Sequence, residues 1–165
     1  MTKSYLGLGS NLGDRLANLL AAVSLLDAAE GVDVTRSSRV YETDPVGGPE
    51  NQPVFLNAVV EVDTSLEARA LLETCLGVEE GMGRVRDERW GPRNIDIDVL
   101  TFGREEIDRD DLTVPHPRMH ERLFVLAPLL ELDPDPPLPG GRKAMTMRLD
   151  RVDVSGARPF APPLA

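Results

Sequence analysis

The stretch Val54-Phe55-Leu56-Asn57-Ala58-Val59-Val60-Glu61-Val62-Asp63, followed directly by Thr64-Ser65-Leu66-Glu67, decides how this chain is built. Its first part is β-branched and apolar in near-alternation, which predicts a strand. Thr64 and Glu67 have the spacing of a capping box, and the apolar residues from Leu66 to Met82 then recur at helical spacing. The hydrophobic period thus changes from two to about 3.6 with no linker between.

On the N-terminal side, Tyr5–Gly9 reads as a first strand, closed by Gly9-Ser10-Asn11-Leu12-Gly13. The glycines at 7, 9 and 13 have GxGxxxG spacing rather than the GxGxxG of a dinucleotide fingerprint, and are read as a tight turn. Leu16, Leu19, Leu20, Val23 and Leu26 follow at helical spacing, with Asp14 as the cap and Gly31 as the stop. Val32–Thr43 reads as a second strand, and residues 44–53, with three prolines and two glycines, as a loop.

On the C-terminal side, residues 83–94 form an Arg-rich loop, Ile95–Phe102 a fourth strand, and Glu105–Ile107 with Leu112–Val114 a short hairpin. Pro117 suits the first turn of a helix running through Met119 to Leu126, with Pro128 marking its end or a break. The order β-α-β-β-α-β predicts an α+β, ferredoxin-like (split βαβ) antiparallel sheet, with helices on one face and substrates on the other. Residues 1–151 read as one domain, and the Pro-rich residues 152–165 as a poorly ordered tail.

A chain of 165 residues can bury an adequate core without staples. Its net charge of −10 opposes nonspecific nucleic-acid binding, and no apolar run is long enough to span a membrane. Cys75, the only cysteine, lies in a helical apolar stripe and reads as a buried structural thiol. The expectation is a cytoplasmic monomer acting on small molecules.

In Ile95-Asp96-Ile97-Asp98-Val99, the two aspartates share one strand face and the aliphatic residues the other. Two carboxylates about 7 Å apart repel unless a cation lies between them, and magnesium takes such hard oxygen ligands. Taken alone, the pair reads more readily as the solvated outer face of an edge strand. The preceding loop shifts the balance: Arg84, Arg86, Arg89 and Arg93 surround Trp90, the only tryptophan. Guanidinium forks match phosphate oxygens, so loop and strand together point to a nucleotide polyphosphate that arrives with magnesium. His116 and His120 lie four apart but lack the glutamate of a zinc motif.

These segments resemble the 6-hydroxymethyl-7,8-dihydropterin pyrophosphokinase (HPPK) family of folate biosynthesis. The resemblance rests on residues 9–13, 52–57, 83–86, 89–98 and 112–116, in family order and spacing. It implies transfer of an intact pyrophosphoryl group from ATP to the pterin hydroxymethyl oxygen, giving AMP. It further implies that Asp96 and Asp98 bind two Mg²⁺ ions and that Arg84 and Arg93 stabilise the transferring group. Arg86, Arg89 and Trp90 would close over the substrates. Arg122 and His116 would meet the ATP phosphates, and Thr113 with Val99 the nucleoside. The pterin would stack between Phe55 and Phe124, read by Asn57 and by backbone groups of Thr43, Asp44 and Val46, with Trp90 and Asp96 beside it. Two other readings stay open: a kinase for another heterocyclic alcohol that releases ADP, and a non-catalytic ligand-binding module.

Overall fold

The computed structural model describes residues 1–43, 54–83, 94–117, 119, 123–138 and 157–165, with backbone alone at 123 and 124. The elements run β1 (Thr2–Ser10), α1 (Arg15–Ala28), β2 (Val32–Ser37), β3 (Val40–Thr43), β4 (Phe55–Thr64), α2 (Ala68–Gly81) and β5 (Asp96–Phe102). A hairpin of β6 (Ile107–Arg109) and β7 (Leu112–Val114) follows, then α3 (Leu123–Leu132) and β8 (Ala157–Ala161). The main sheet is antiparallel in the order β5-β1-β4-β3-β8, with β2 also paired to β4. Counting β2 and β3 as one, the order of the first four strands is fourth, first, third, second. This is the split βαβ arrangement expected.

The expected second strand is interrupted at Ser38, where a side chain takes over from the ladder. The Ser38 N–H donates to the Val59 carbonyl at 2.9 Å, and the Ser38 hydroxyl accepts from the Val59 N–H at 3.0 Å. The chain stays bonded to β4 while leaving extended geometry.

Helices α1 and α2 cover one face. Asp14 caps α1 as expected, its carboxylate accepting from the Ala17 N–H at 3.1 Å. Leu20 is an exception to the apolar stripe at 45% exposure, and Ala22 packs inward beside Leu19, Val23 and Leu26. These meet Leu71, Cys75 and Val78 of α2 over Leu6, Leu8, Leu56, Val60 and Val62 of the sheet. The capping box does not form. Glu67 is the N-cap of α2 without a side-chain hydrogen bond, whereas the Thr64 hydroxyl donates to the Gly31 carbonyl and accepts from the Leu66 N–H. Thr64 is committed to β4 by its pairing with Thr2, so its hydroxyl ties the start of β2 to the end of β4.

The second face corrects the expectation of helices on one side only. Helix α3 packs there, with Val125, Leu126 and Leu129 against Tyr5, Val59 and Leu100. It runs through Pro128 to Leu132 rather than ending at the proline. A helix-interior proline costs about 3 kcal/mol. Burying each of several aliphatic side chains returns about 1.5–3 kcal/mol, so packing prevails. Residues 157–161 of the expected tail form β8, an edge strand antiparallel to β3, and Ala157 packs with Tyr41 and Ala127.

Candidate active site

Because α3 covers the Tyr5 end of the second face, the end toward Gly9 is left to other contents. Strand register fixes what stands there. Gly9 pairs with Asn57 on one side and Asp96 on the other, and Gly7 pairs with Val59 and Asp98. Side chains alternate along each strand, so Asn57, Asp96 and Asp98 share this face while Leu8, Ala58 and Ile97 enter the helix-side core. The carboxylates and the amide therefore flank a central strand that has no side chains at 7 and 9. The result is a furrow about two strand spacings, or roughly 9–10 Å, from wall to wall.

The reading of Gly7 and Gly9 as turn residues is corrected here. Both lie inside β1, and only Gly13 of the three has the left-handed backbone of a turn (φ 72°). What Gly9 supplies is clearance. A Cβ there would lie 2.9 Å from the Asn57 Nδ2 and 3.6 Å from the Phe55 ring. A Cβ at Gly7 would meet Leu100 at an ordinary 3.5 Å, which marks where the α3-covered core begins.

Asn57 is 6% exposed and its amide is held in one orientation. The Thr43 hydroxyl, itself 4% exposed, donates to Oδ1, which leaves Nδ2 directed over Gly9. Thr43 pairs with Phe55 on β4, and the partly buried Phe55 ring lies beside the same glycine. An amide presents a donor and an acceptor in one plane, the complement of a heterocycle edge. Thr43, Phe55 and Asn57, which the family resemblance groups together, form one cluster.

Asp96 and Asp98 stand on the opposite wall, both partly exposed. Strand β5 is a sheet edge, and its outer side is held by α2: the Ile97 N–H donates to the buried Glu79 carboxylate at 2.8 Å. Asn94 holds the strand's entry, donating to the Met82 carbonyl at 2.6 Å and accepting from the Ile95 N–H at 3.0 Å. Met82 and Asn94 lie on either side of the Arg-rich segment, so one amide joins its two ends. Glu79 and Asn94 were not singled out as site residues in the sequence. A buried glutamate reads from sequence as a helix-surface charge, and its strand contact is a tertiary fact.

Among the described residues no group of three or more His, Cys, Asp or Glu side chains could hold a metal. The Asp96–Asp98 pair supplies two hard-oxygen donors on an open face, a set that fits an ion completed by water and phosphate oxygens. Cys75 lies behind the sheet as a fully buried thiol, and burial, then the nearby Glu79 and Asp98 carboxylates, push its pKa up to about 12.

Beyond β5, the His116 N–H donates to the Leu100 carbonyl at 2.7 Å, which docks the segment after β7 against the aspartate strand. Thr113 and His116 are partly exposed. Val99 is different: its side chain is 5% exposed within the helix-side core, so only its backbone remains for a ligand. Asp44, Val46, Arg84, Arg86, Arg89, Trp90, Arg93, Arg122 and the Phe124 side chain lie outside the described residues.

The family model for 7,8-dihydro-6-hydroxymethylpterin-pyrophosphokinase (HPPK) matches residues 5–134, a span that contains both walls of the furrow. The chain belongs to the HPPK family. A 2-amino-4-hydroxy-6-hydroxymethyldihydropteridine pyrophosphokinase of Bacillus subtilis is 54% identical over 129 residues, 78% of this chain and 77% of that protein. One of Methylorubrum extorquens is 47% identical over 156 residues, 94% of this chain and 97% of that protein. Among solved structures, Plasmodium falciparum HPPK-DHPS with pterin and p-hydroxybenzoate aligns with a TM-score of 0.61 at 17% identity. That alignment covers 81% of this chain but 40% of the longer Plasmodium chain, and it establishes a shared fold.

Proposed function

We propose that this chain catalyses the pyrophosphokinase reaction of folate biosynthesis, with 6-hydroxymethyl-7,8-dihydropterin and ATP as substrates. The observation that carries the reading is the Asn57–Gly9–Asp96 row, which puts an oriented amide and a carboxylate wall on either side of a bare strand. The pterin lies over Gly9, stacked on Phe55 and, by family resemblance, on Phe124. Its ring edge meets the Asn57 amide and backbone groups of Thr43, Asp44 and Val46, and its hydroxymethyl arm points toward Asp96.

The pterin hydroxyl oxygen forms a bond to the ATP β-phosphorus as the bond from that phosphorus to the bridging α,β-oxygen breaks. The bridging oxygen leaves on AMP, and the hydroxyl proton passes to solvent. Asp96 and Asp98 are the residues that would hold two Mg²⁺ ions; bound there, the metal neutralises phosphate charge and favours in-line displacement. Arg84 and Arg93 neutralise charge on the transferring group. Arg86, Arg89 and Trp90 exclude water, Arg122 and His116 contact the ATP phosphates, and Thr113 with the Val99 backbone contacts the nucleoside. The chain works as a monomer and in the cytoplasm, a compartment consistent with a sequence whose single cysteine can form no intrachain disulfide.

Substrate titrations of Asn57→Ala test the assignment of the pterin end. The reading requires the pterin KM to rise at least about tenfold with the ATP KM nearly unchanged, since the amide meets only one substrate. An ATP KM that rises with it, or a pterin KM that stays put, places the pterin elsewhere.

A further inference from the structure

The two strands that carry the pterin-side residues are joined by a group outside the site. Arg15, the first residue of α1, donates from Nη1 to the Val54 carbonyl at 2.8 Å and lies 3.5 Å from the Glu42 carboxylate. Glu42 immediately precedes Thr43, and Val54 immediately precedes Phe55. Among the described residues, Thr43–Phe55 is the last pair of the β3–β4 ladder, and Glu42 and Val54 lie at this end of it. One guanidinium spans that end.

Strand β8 holds the guanidinium in turn. Phe160, 49% exposed, places its ring 5.5 Å from the Arg15 Cζ in a cation–π contact. Arg158, paired with Glu42 across the β3–β8 ladder, approaches the other Glu42 oxygen at 3.6 Å. The backbone returns at Leu164, whose N–H donates to the Ser37 hydroxyl at 3.1 Å, so the strand is anchored on both sides of these contacts.

We propose that Arg15, braced by Phe160 and Glu42, is a positioning residue for the pterin end of the site. By fixing residues 42 and 54 it fixes the separation of Thr43 from Phe55, and with it the Thr43–Asn57 hydrogen bond and the pose of the ring beside Gly9. It touches neither substrate. The inference rests on the pterin assignment above, and deepens it by giving β8 a part in substrate selectivity.

Steady-state titrations of both substrates, with thermal melts, test this on the full chain. Arg15→Ala is expected to raise the pterin KM about tenfold, the scale on which small misplacements are felt, while the ATP KM stays within about twofold. Arg15→Lys should recover part of the loss, because an ammonium keeps the Glu42 contact but lacks the fork. Phe160→Ala, at a half-exposed position, keeps the test open should Arg15→Ala not fold. It is expected to raise the pterin KM about threefold through the lost cation–π contact, and Phe160→Tyr to restore it. A pterin KM unchanged in both Arg15→Ala and Phe160→Ala overturns the proposal, as does a parallel rise in both KM values. Asn57→Ala run alongside separates the two claims. If it is defective for pterin and Arg15→Ala is not, positioning alone fails; if it binds pterin normally, the pterin assignment fails first.

Discussion

Gly9 and Asn57 face each other across β1 and β4 so closely that a methyl group on residue 9 would lie 2.9 Å from the amide nitrogen. The atom it would strike is the far end of a side chain, not backbone. Gly9→Ala should therefore fold, with the methyl group displacing the amide from its bond to Thr43. Alanine in place of glycine also lowers unfolded-state entropy by about 0.4–1 kcal/mol, which offsets part of the crowding. The expected outcome is a pterin KM raised about tenfold with a Tm within a few degrees of wild type. In an Asn57→Ala background the same change should still raise the pterin KM, because the pterin lies over residue 9, but by less than it does alone, since the amide it displaces is gone. Additive effects in that double variant would show that the glycine serves something other than the amide.

Asp98→Asn separates function from stability. An amide keeps the size of the carboxylate and part of its hydrogen-bonding capacity while removing the charge, so Tm should shift by no more than a few degrees. Turnover with MgATP should fall at least about a hundredfold if the pair holds the metal. Near-normal turnover would remove the metal assignment, and a large drop in Tm would recast the aspartate as structural.

Glu61 anchors the covered end of the same face. Its carboxylate accepts from Thr35 at 2.8 Å, Arg36 at 2.7 Å and Tyr5 at 3.1 Å, and Arg36 also reaches the Leu132 carbonyl at the end of α3. Burial alone would raise its pKa, but the hydrogen bonds from Arg36, Thr35 and Tyr5 outweigh this and lower it. A lowered folded-state pKa means stability that is present above the ordinary carboxylate range and lost as pH falls through the folded value. Glu61→Gln should cost about 1–3 kcal/mol at pH 7, toward the low end because Arg36 is half exposed. Urea midpoints of the two proteins should converge as pH falls below about 4. A gap that stays constant with pH would mean the charge contributes nothing.

The Cys75 thiol, with a pKa pushed up to about 12, stays protonated at physiological pH. Thiol reagents should therefore label it only after denaturation and leave native activity unchanged. Rapid labelling of the folded protein would contradict its burial.

How much was legible in the sequence depended on how local each signal was. The strand–helix alternation and the Asp96–Asp98 face follow from periods of two and 3.6, which a chain displays before it folds. Asp14 as a cap is equally local. Thr64 departs from its local pattern because a capping box cannot show that the hydroxyl is taken by Gly31, more than thirty residues away. Pro128 departs from its local propensity because α3 packs against the sheet, a contact that the propensity does not contain. Strand β8 escapes the pattern because Pro159 and the Pro162-Pro163 that follows it look like a tail until β3 offers an edge. Gly7 and Gly9 fit a turn signature, and the clearance that Gly9 gives Asn57 becomes visible only once β4 lies alongside. Arg15, Glu79 and Asn94 act through partners distant in the chain, so no spacing rule marks them.

The central claim is pyrophosphoryl transfer, and the direct measurement is the nucleotide product. The purified protein would be incubated with MgATP and 6-hydroxymethyl-7,8-dihydropterin and its products separated chromatographically. AMP formed in equal amount with the pterin diphosphate, and abolished by EDTA, is the predicted result. ADP with a pterin monophosphate would contradict it, leaving a kinase that attacks the γ-phosphorus instead.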